Sequence, residues 1–285
     1  VRRATARLAP ARIGAALVLA VAIGGLYLLS TVDAFVIRRT EITGNVWTTQ
    51  AQILKALAVP IEQNAFEVST AELGTRLSAV TAVRLASIRV VLPDQLQVAV
   101  TEREPLLLWQ VGGRRYLVDA DGLLFASLAD ASGAPAAAAA LPLVDDRRSE
   151  GVAITTGSHL DAVTLDAALR LASLTPADMG STAKKLVLKV DDQDGFSIAA
   201  SPAGWTAVFG FYTPNLRSTE LVPGQVRLLR SLLYGREAGV LRVVLADDRS
   251  GTYIPKPAAS GKPAASNKPG ASAKPAATPK PSVKP

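Results

Sequence analysis

Four groupings in the sequence carry side chains that could do chemistry. Glu102 and Glu104 stand two apart, and paired carboxylates are the residue type used for acid/base hydrolysis. Ser158, His159 and Asp161 hold the side chains of a nucleophilic triad. Asp119-x-Asp121-Gly122 and Asp192-x-Asp194-Gly195 touch the calcium-loop pattern. Spacing argues against each. Side chains as close in sequence as 158, 159 and 161 diverge, so nucleophile, base and orienter do not line up. The aspartate runs have Leu117 and Val190 at the loop's first position and Leu128 and Ser201 at its twelfth, where acids are needed. Turn chemistry is the reading for both. Glu102 falls in phase with Leu96, Val98 and Val100, which puts it at the inward edge where the strand ends, and a structural role is the reading for the pair. His159 is the only histidine and there is no cysteine, so neither a two-histidine metal site nor thiolate chemistry is available. No catalytic residue, metal or cofactor is expected. Function must then lie in surfaces.

The elements that would build those surfaces begin at Phe35. Ala86, Ile88, Val90 and Leu92 alternate with more polar neighbours, as do Leu96, Val98 and Val100, with only Pro93-Asp94 between the runs. Two alternating runs split by a Pro-containing turn predict an antiparallel pair with one buried face. Thr49-x-x-Gln52 and Ser69-x-x-Glu72 have capping-box form and open helical runs with Ile53/Leu57 and Leu73/Leu77. Phe35 and Ile37 are out of phase with Ile42, which predicts a bulge or register change before the Gly44-Asn45 turn. The order is strand, helix, helix, strand, strand, a small α+β module.

These residues resemble a known family. An aromatic-led strand ends in Gly44-Asn45, and Val83, Ala86, Ile88 and Arg89 form a Val-x-x-Ala-x-Ile-Arg run. A Pro-Asp turn, a Leu-x-Val-x-Val strand and Glu102-Arg103-x-Pro105 follow, and then a tyrosine-led segment from Tyr116 to Phe125. The set is similar to the FtsQ/DivIB family of bacterial cell-division proteins. The resemblance implies that 35–105 is a polypeptide-transport-associated (POTRA) domain. It is tight from Phe35 to Phe125 and rests on order and length beyond.

The formal charge of +7 is unevenly spread. Arg2, Arg3, Arg7 and Arg12 and the six lysines from Lys256 to Lys284 contribute +10, leaving the body at −3. A mildly acidic body gives no support to nucleic-acid binding. Ile13 to Leu29 carries no charge, and with its flanks is long enough to span a bilayer. The preceding arginines place the N-terminus in the cytoplasm by the positive-inside rule. The expected organisation is a basic cytoplasmic tail (1–12), a transmembrane helix (13–32), the POTRA domain (35–105), a second β-rich α+β domain (106–254) and a disordered Lys/Pro/Ala-rich tail (255–285). A cleaved signal peptide at Val32-Asp33-Ala34 is the competing reading of the N-terminus, although signal h-regions are usually shorter.

After Leu106 the pattern predicts strands at 106–109, 115–118 and 123–127, with Asp121-Gly122 as a hairpin turn. Residues 129–141 read as an exposed low-complexity insertion. A helix over 161–174 has Leu165, Leu169 and Ala172 on its stripe, and strands follow at 184–190, 196–200 and 205–209. A second helix spans 224–234 with Val226, Leu229 and Leu233 inward, followed by strands at 241–245 and 251–254. Trp109 and Trp205 read as core residues, and Trp47 as a cover on the small domain.

A terminal strand with free N–H and C=O groups is a template for a partner strand. The family resemblance implies that the last strand and a nearby helix recruit an FtsB/FtsL-like pair. Carried onto this chain, the partner-binding residues are Gly251, Thr252, Tyr253 and Ile254, supported by Arg227 and Arg230. The segment Leu245-Ala246-Asp247-Asp248-Arg249 departs from the family's usual Asp-Leu-Arg. The resemblance thus implies a non-catalytic division scaffold in the inner membrane at the septum, with septal wall-synthesis proteins as further partners. A POTRA-type chaperone of outer-membrane protein assembly and a membrane-anchored wall hydrolase are the alternatives. The lysine-rich tail is either passive or touches anionic wall polymer or membrane.

Overall fold

The computed structural model describes residues 10–31, 33–60, 63–128 and 136–257. Residues 1–9 of the expected basic tail, 129–135 of the expected insertion and 258–285 of the lysine-rich tail lie outside the described residues.

Helix α1 (Pro10–Thr31) is 22 residues long, and its described apolar side chains, among them Leu17, Val18 and Val21, are exposed. Among the described residues, no helix is long and apolar enough to cross a membrane. Some side chains of the expected span are not described.

The first module has the expected order: β1 (Arg39–Thr43), α2 (Gln50–Leu57), α3 (Thr70–Ser78), β2 (Val83–Val91) and β3 (Gln95–Glu102). Its sheet runs β1-β3-β2, with β3 antiparallel to β2 and parallel to β1. Alternation puts Leu96, Val98 and Val100 on one face, where they meet Ile53, Leu57, Leu73 and Leu77 from the helices. Thr49 and Gln52 complete a reciprocal capping box on α2. At α3 the Ser69 side chain caps the N–H of Glu72. Gly44 is required where it stands: φ is +83°, and a Cβ there would lie 2.0 Å from the Val100 carbonyl oxygen. The expected register change falls at Arg38 and Arg39, whose N–H groups both donate to Asp94 O. The β1–β3 pairing is continuous over Arg39–Thr43, and the phase change is absorbed upstream, where Val36 bridges separately to Asn64.

The second unit is one nine-stranded sheet in the order β12-β11-β10-β9-β8-β7-β4-β5-β6. Its strands are β4 (Leu107–Val111), β5 (Arg114–Val118), β6 (Leu124–Leu128), β7 (Leu143–Asp146), β8 (Lys185–Asp191), β9 (Gly195–Ser201), β10 (Thr206–Gly210), β11 (Val240–Leu245) and β12 (Gly251–Pro255). Short α4 (Ala136–Ala139) precedes β7, while α5 (Ala162–Ala172) and α6 (Val222–Leu233) cover one face. Trp109 and Trp205 are fully buried there among leucines and valines of both helices and six or more strands. The α5 stripe is rotated from expectation: Leu165, Ala168 and Leu171 are buried, while Leu169 and Ala172 are only partly so. Part of the expected insertion is ordered structure, with Ala138 buried in α4.

The two units meet through a third apolar cluster. Ala82 of the first packs with Leu108, Leu117, Leu123 and Phe125 of the second, and Trp47 lies against them. Trp47 thus closes the junction, where the sequence had suggested a cover for the small module alone.

Candidate partner-binding edge

Strand β12 forms one edge of the large sheet, bonded on one side to β11 and on the other to nothing among the described residues. The hairpin that makes it is closed by Asp247, whose Oδ1 accepts the N–H groups of Arg249 and Ser250. Those bonds hold the Asp247 carboxyl below its ordinary range. The N–H of Ala246 donates to Ser250 O at 2.9 Å. In an antiparallel ladder, bonded and non-bonded pairs alternate. Counting from Ala246/Ser250, Val244/Thr252 and Arg242/Ile254 are the bonded pairs. Gly251 and Tyr253 therefore turn their own N–H and C=O groups outward. Pro255, the next residue in that phase, has no N–H to offer and closes the edge.

Side chains sort by the same alternation. Tyr253 pairs with buried Val243 and Gly251 with buried Leu245, so both lie on the face that α6 covers. A Cβ on Gly251 would sit 3.2–3.4 Å from Leu228, Leu232 and Leu245. Thr252 and Ile254 occupy the other face, beside Val244 and Arg242. Tyr253 and Ile254 are 42% and 44% exposed at the rim. The edge thus offers two outward peptide groups flanked by apolar side chains, the arrangement that strand addition uses.

Of the two arginines taken from the helix, Arg230 faces away from this edge. At 100° per residue, Arg227 lies well round α6 from Leu228 and Leu232. Arg230 lies on the opposite flank, where its stem is 3.4 Å from a Cβ built on Gly180 and it lines a groove with Arg170, Asp178 and Val222. The helical residues beside Gly251 of β12 are Leu228 and Leu232.

Sequence reasoning missed what holds α6 against the hairpin. Gln225 is fully buried: its Nε2 donates to the carbonyls of Phe209 (3.1 Å) and Leu245 (3.4 Å), and its Oε1 accepts from the Tyr212 hydroxyl at 2.6 Å. Burial pushes the Tyr212 phenol above its usual range. Arg217 donates to the carbonyls of Phe209 and Ala246. Gly224 lets α6 approach the hairpin turn, since a Cβ there would lie 2.4 Å from Asp248 Cβ. The one readable signal was a glutamine in phase with Val226 and Leu229 on an otherwise apolar helix face.

The other groupings have structural partners. Glu102 accepts the N–H groups of Val46, Trp47 and Thr48 at 2.6–2.9 Å, which ties the β1–α2 loop within the first module. Arg103 bonds both units, donating to Thr81 O (3.1 Å) and pairing with Asp119 at 2.6 Å. Asp119 also accepts from Asp121 and Leu123 N–H, so it closes its own turn. In the second aspartate run, Asp191 takes the turn amides, Asp192 binds Ser149 N–H and Asp194 pairs with Arg242. Ser158 accepts from Thr155 N–H and Asp161 caps α5, while exposed His159 bridges to Leu123.

Comparison with known proteins adds to this geometry. Residues 35–103 match the family described as POTRA domain, FtsQ-type. Over 110 residues the chain is 30% identical to the cell division protein FtsQ of Mycobacteroides abscessus, covering 39% of this chain and 36% of that one. It is 26% identical over 163 residues to FtsQ of Chloroflexus aurantiacus, covering 57% and 49%. It is 34% identical over 88 residues to FtsQ of Caulobacter vibrioides, covering 31% and 29%. The matched stretches span at most about half the length of these relatives.

Proposed function

We propose that this chain, a member of the FtsQ/DivIB family by its POTRA domain and relatives, works in cell division as a non-catalytic scaffold. In this reading α1 anchors the chain in the inner membrane with its N-terminus cytoplasmic. The POTRA domain and the large sheet stand outside at the septum. Partners of FtsB/FtsL type add a strand to β12 at Gly251 and Tyr253, and the POTRA domain contacts septal wall-synthesis proteins.

The free β12 edge carries the proposal. Its outward peptide groups, with Tyr253 and Ile254 beside them, suit an extended partner segment. Leu228 and Leu232 would back that segment, replacing the arginines expected from sequence. Photo-crosslinking in living cells from position 253, with exposed Lys55 on α2 as comparison, tests it. A strong adduct from 253 to a small membrane protein is expected. Adducts from 55 with none from 253 would move the working surface to the POTRA domain. Normal division after depletion of the protein would sink the division role itself.

A further inference from the structure

The nine residues of β2 form one edge of the POTRA sheet, bonded to β3 on one side and to nothing among the described residues on the other. The phase of β3 settles which peptide groups of β2 are free. Arg39 donates its N–H to Asp94 O, so in the parallel β1–β3 ladder Leu96, Val98 and Val100 bond towards β1. Gln95, Gln97, Ala99 and Thr101 then bond towards β2, and the Arg103 N–H to Ala82 O continues that phase. Their partners Val91, Arg89, Ser87 and Leu85 make up the bonded pairs of the hairpin. Ala86, Ile88 and Val90 therefore turn both of their peptide groups outward.

Side chains along this edge leave apolar surface on both faces. Away from the helices stand Leu85 (66% exposed) and Val91 (38%), with exposed Ser87 and Arg89 between them. Leu92, 52% exposed, follows at the turn. On the helix face Ala86, Ile88 and Val90 pack on the module core yet are only half-buried, whereas their β3 neighbours Leu96, Val98 and Val100 are buried. A strand added here would finish covering that core. The open-face order Leu85, Ser87, Arg89, Val91 is apolar, polar, polar, apolar from either end. Such an order suits antiparallel pairing of the segment with itself.

We propose that a second copy of this chain pairs with β2, antiparallel about a two-fold axis at Ile88, so that two three-stranded POTRA sheets join edge to edge. In this register the outward groups of Ala86, Ile88 and Val90 meet those of Val90, Ile88 and Ala86 in the other copy. Leu85 stands opposite Val91, Ser87 stands opposite Arg89, and the half-buried apolar row runs unbroken through the axis. Neighbouring registers are worse. An axis at Arg89 would set two arginines directly opposite, which destabilises, and one at Ser87 would set Leu85 against Arg89. One strand pair is small beside the roughly 1,200 Å² of a stable interface, so the dimer is reversible and concentration-dependent. It uses neither Gly251 nor Tyr253, and so it goes beyond the β12 reading without depending on it.

The chain has no cysteine, so Leu85→Cys and Val91→Cys each give a single thiol, at exposed positions of the strand. Full-length chains with one or the other substitution, tagged to differ in size, are mixed in non-ionic detergent and oxidised with copper phenanthroline. The register sets 85 against 91 but about 20 Å from its own counterpart at ~3.3 Å per residue, so roughly fivefold more mixed than like disulfide dimer is expected. Ala86→Pro in both chains removes an outward N–H, which an edge strand tolerates, and should bring the mixed dimer down to the like-dimer level. Amide protection at Gln97 and Ala99, whose partners are Arg89 and Ser87, reports that the hairpin still stands. Ser87→Arg sets two guanidinium groups opposite each other without touching the backbone, and should have the same effect. Like dimers as abundant as the mixed one would overturn the proposal, because random collision or a parallel pair gives that result. So would a mixed dimer that survives Ser87→Arg, or no dimer at any protein concentration. A photo-crosslink in cells from position 85 to another protein, with no mixed dimer, would assign the edge to that partner and overturn the second copy.

Discussion

At the β6 side of the large sheet, the outward groups of Leu124 are taken: its N–H donates to Ser158 O and its carbonyl accepts from Gly157 N–H. Leu160 N–H bonds Gly122 O alongside, and Thr81 of the POTRA domain reaches over to Phe125 O. At the β12 side nothing among the described residues covers Gly251 and Tyr253. A sheet edge is a hazard that proteins normally cover, charge or shorten. Here one edge is covered by its own chain and a neighbouring domain, while the other ends in a five-residue strand with both peptide groups available. That contrast is the physical reason to look for a partner at β12 and not at β6.

The sharpest way to break the contrast is to place proline at two adjacent positions. Thr252→Pro removes an N–H that faces β11 and should cost about 3 kcal/mol or detach β12 altogether. Amide exchange at Val244 and Arg242 should then accelerate at least tenfold. Tyr253→Pro removes an N–H that faces outward, so β11 should stay protected while crosslinking to the partner is lost, with Tyr253→Ala as the side-chain control. Equal loss of protection in both would mean that the ladder phase assigned to β12 is wrong.

Gln225→Leu tests what positions the free edge. It leaves the carbonyls of Phe209 and Leu245 and the Tyr212 hydroxyl short of partners, which should cost about 2–3 kcal/mol. Urea unfolding measures the cost. The effect should reach partner capture at β12 while leaving amide protection in β5 and β6 unchanged.

The same two edges show how much of the molecule was readable in the sequence. The β2–β3 pair, the capped helices and the terminal strand are local patterns of period 2 or 3.6 with turn residues between them, and they were legible. Strand β7 was not, because Leu143-Val144-Asp145-Asp146 is short and half acidic. Its Asp146 is buried only because Arg148 and the Trp109 indole satisfy it, through contacts made in three dimensions. Nor could spacing tell which flank of α6 faces the hairpin. Arg227 and Arg230 sit at plausible positions, yet Gly224 and Gln225 decide how the helix seats.

At the covered edge the cover itself can be loosened. Arg103→Ala removes the bond to Thr81 O and leaves Asp119, whose side chain is 7% exposed, with only its own turn amides. A cost of about 2 kcal/mol is expected, below that of a fully buried pair because Arg103 is partly solvated. Trp47 lies across the junction, so its emission should shift to the red while β12 capture persists. Loss of capture would mean that the two edges are coupled and the comparison too simple.

The smallest expected effect is a pH dependence at Glu237, in the turn before β11 whose Gly239 carbonyl accepts the Lys256 N–H after β12. Burial pushes the Glu237 carboxyl up, but hydrogen bonds from Ser181, Trp205 and Thr182 outweigh it and hold the pKa at about 2. A carboxylate whose pKa is lower folded than unfolded stabilises the fold above its unfolded value. That contribution is lost as pH falls through the folded one. The stabilisation should therefore be complete above about pH 4.5 and disappear towards about pH 2. Glu237→Gln should flatten that part of the stability profile. Because the group is only partly buried, the effect should be modest and concentrated in the 175–183 loop and the Trp205 indole. An indole Nε1–H resonance that stays put through this acid range in the native protein would show that Glu237 is not its acceptor.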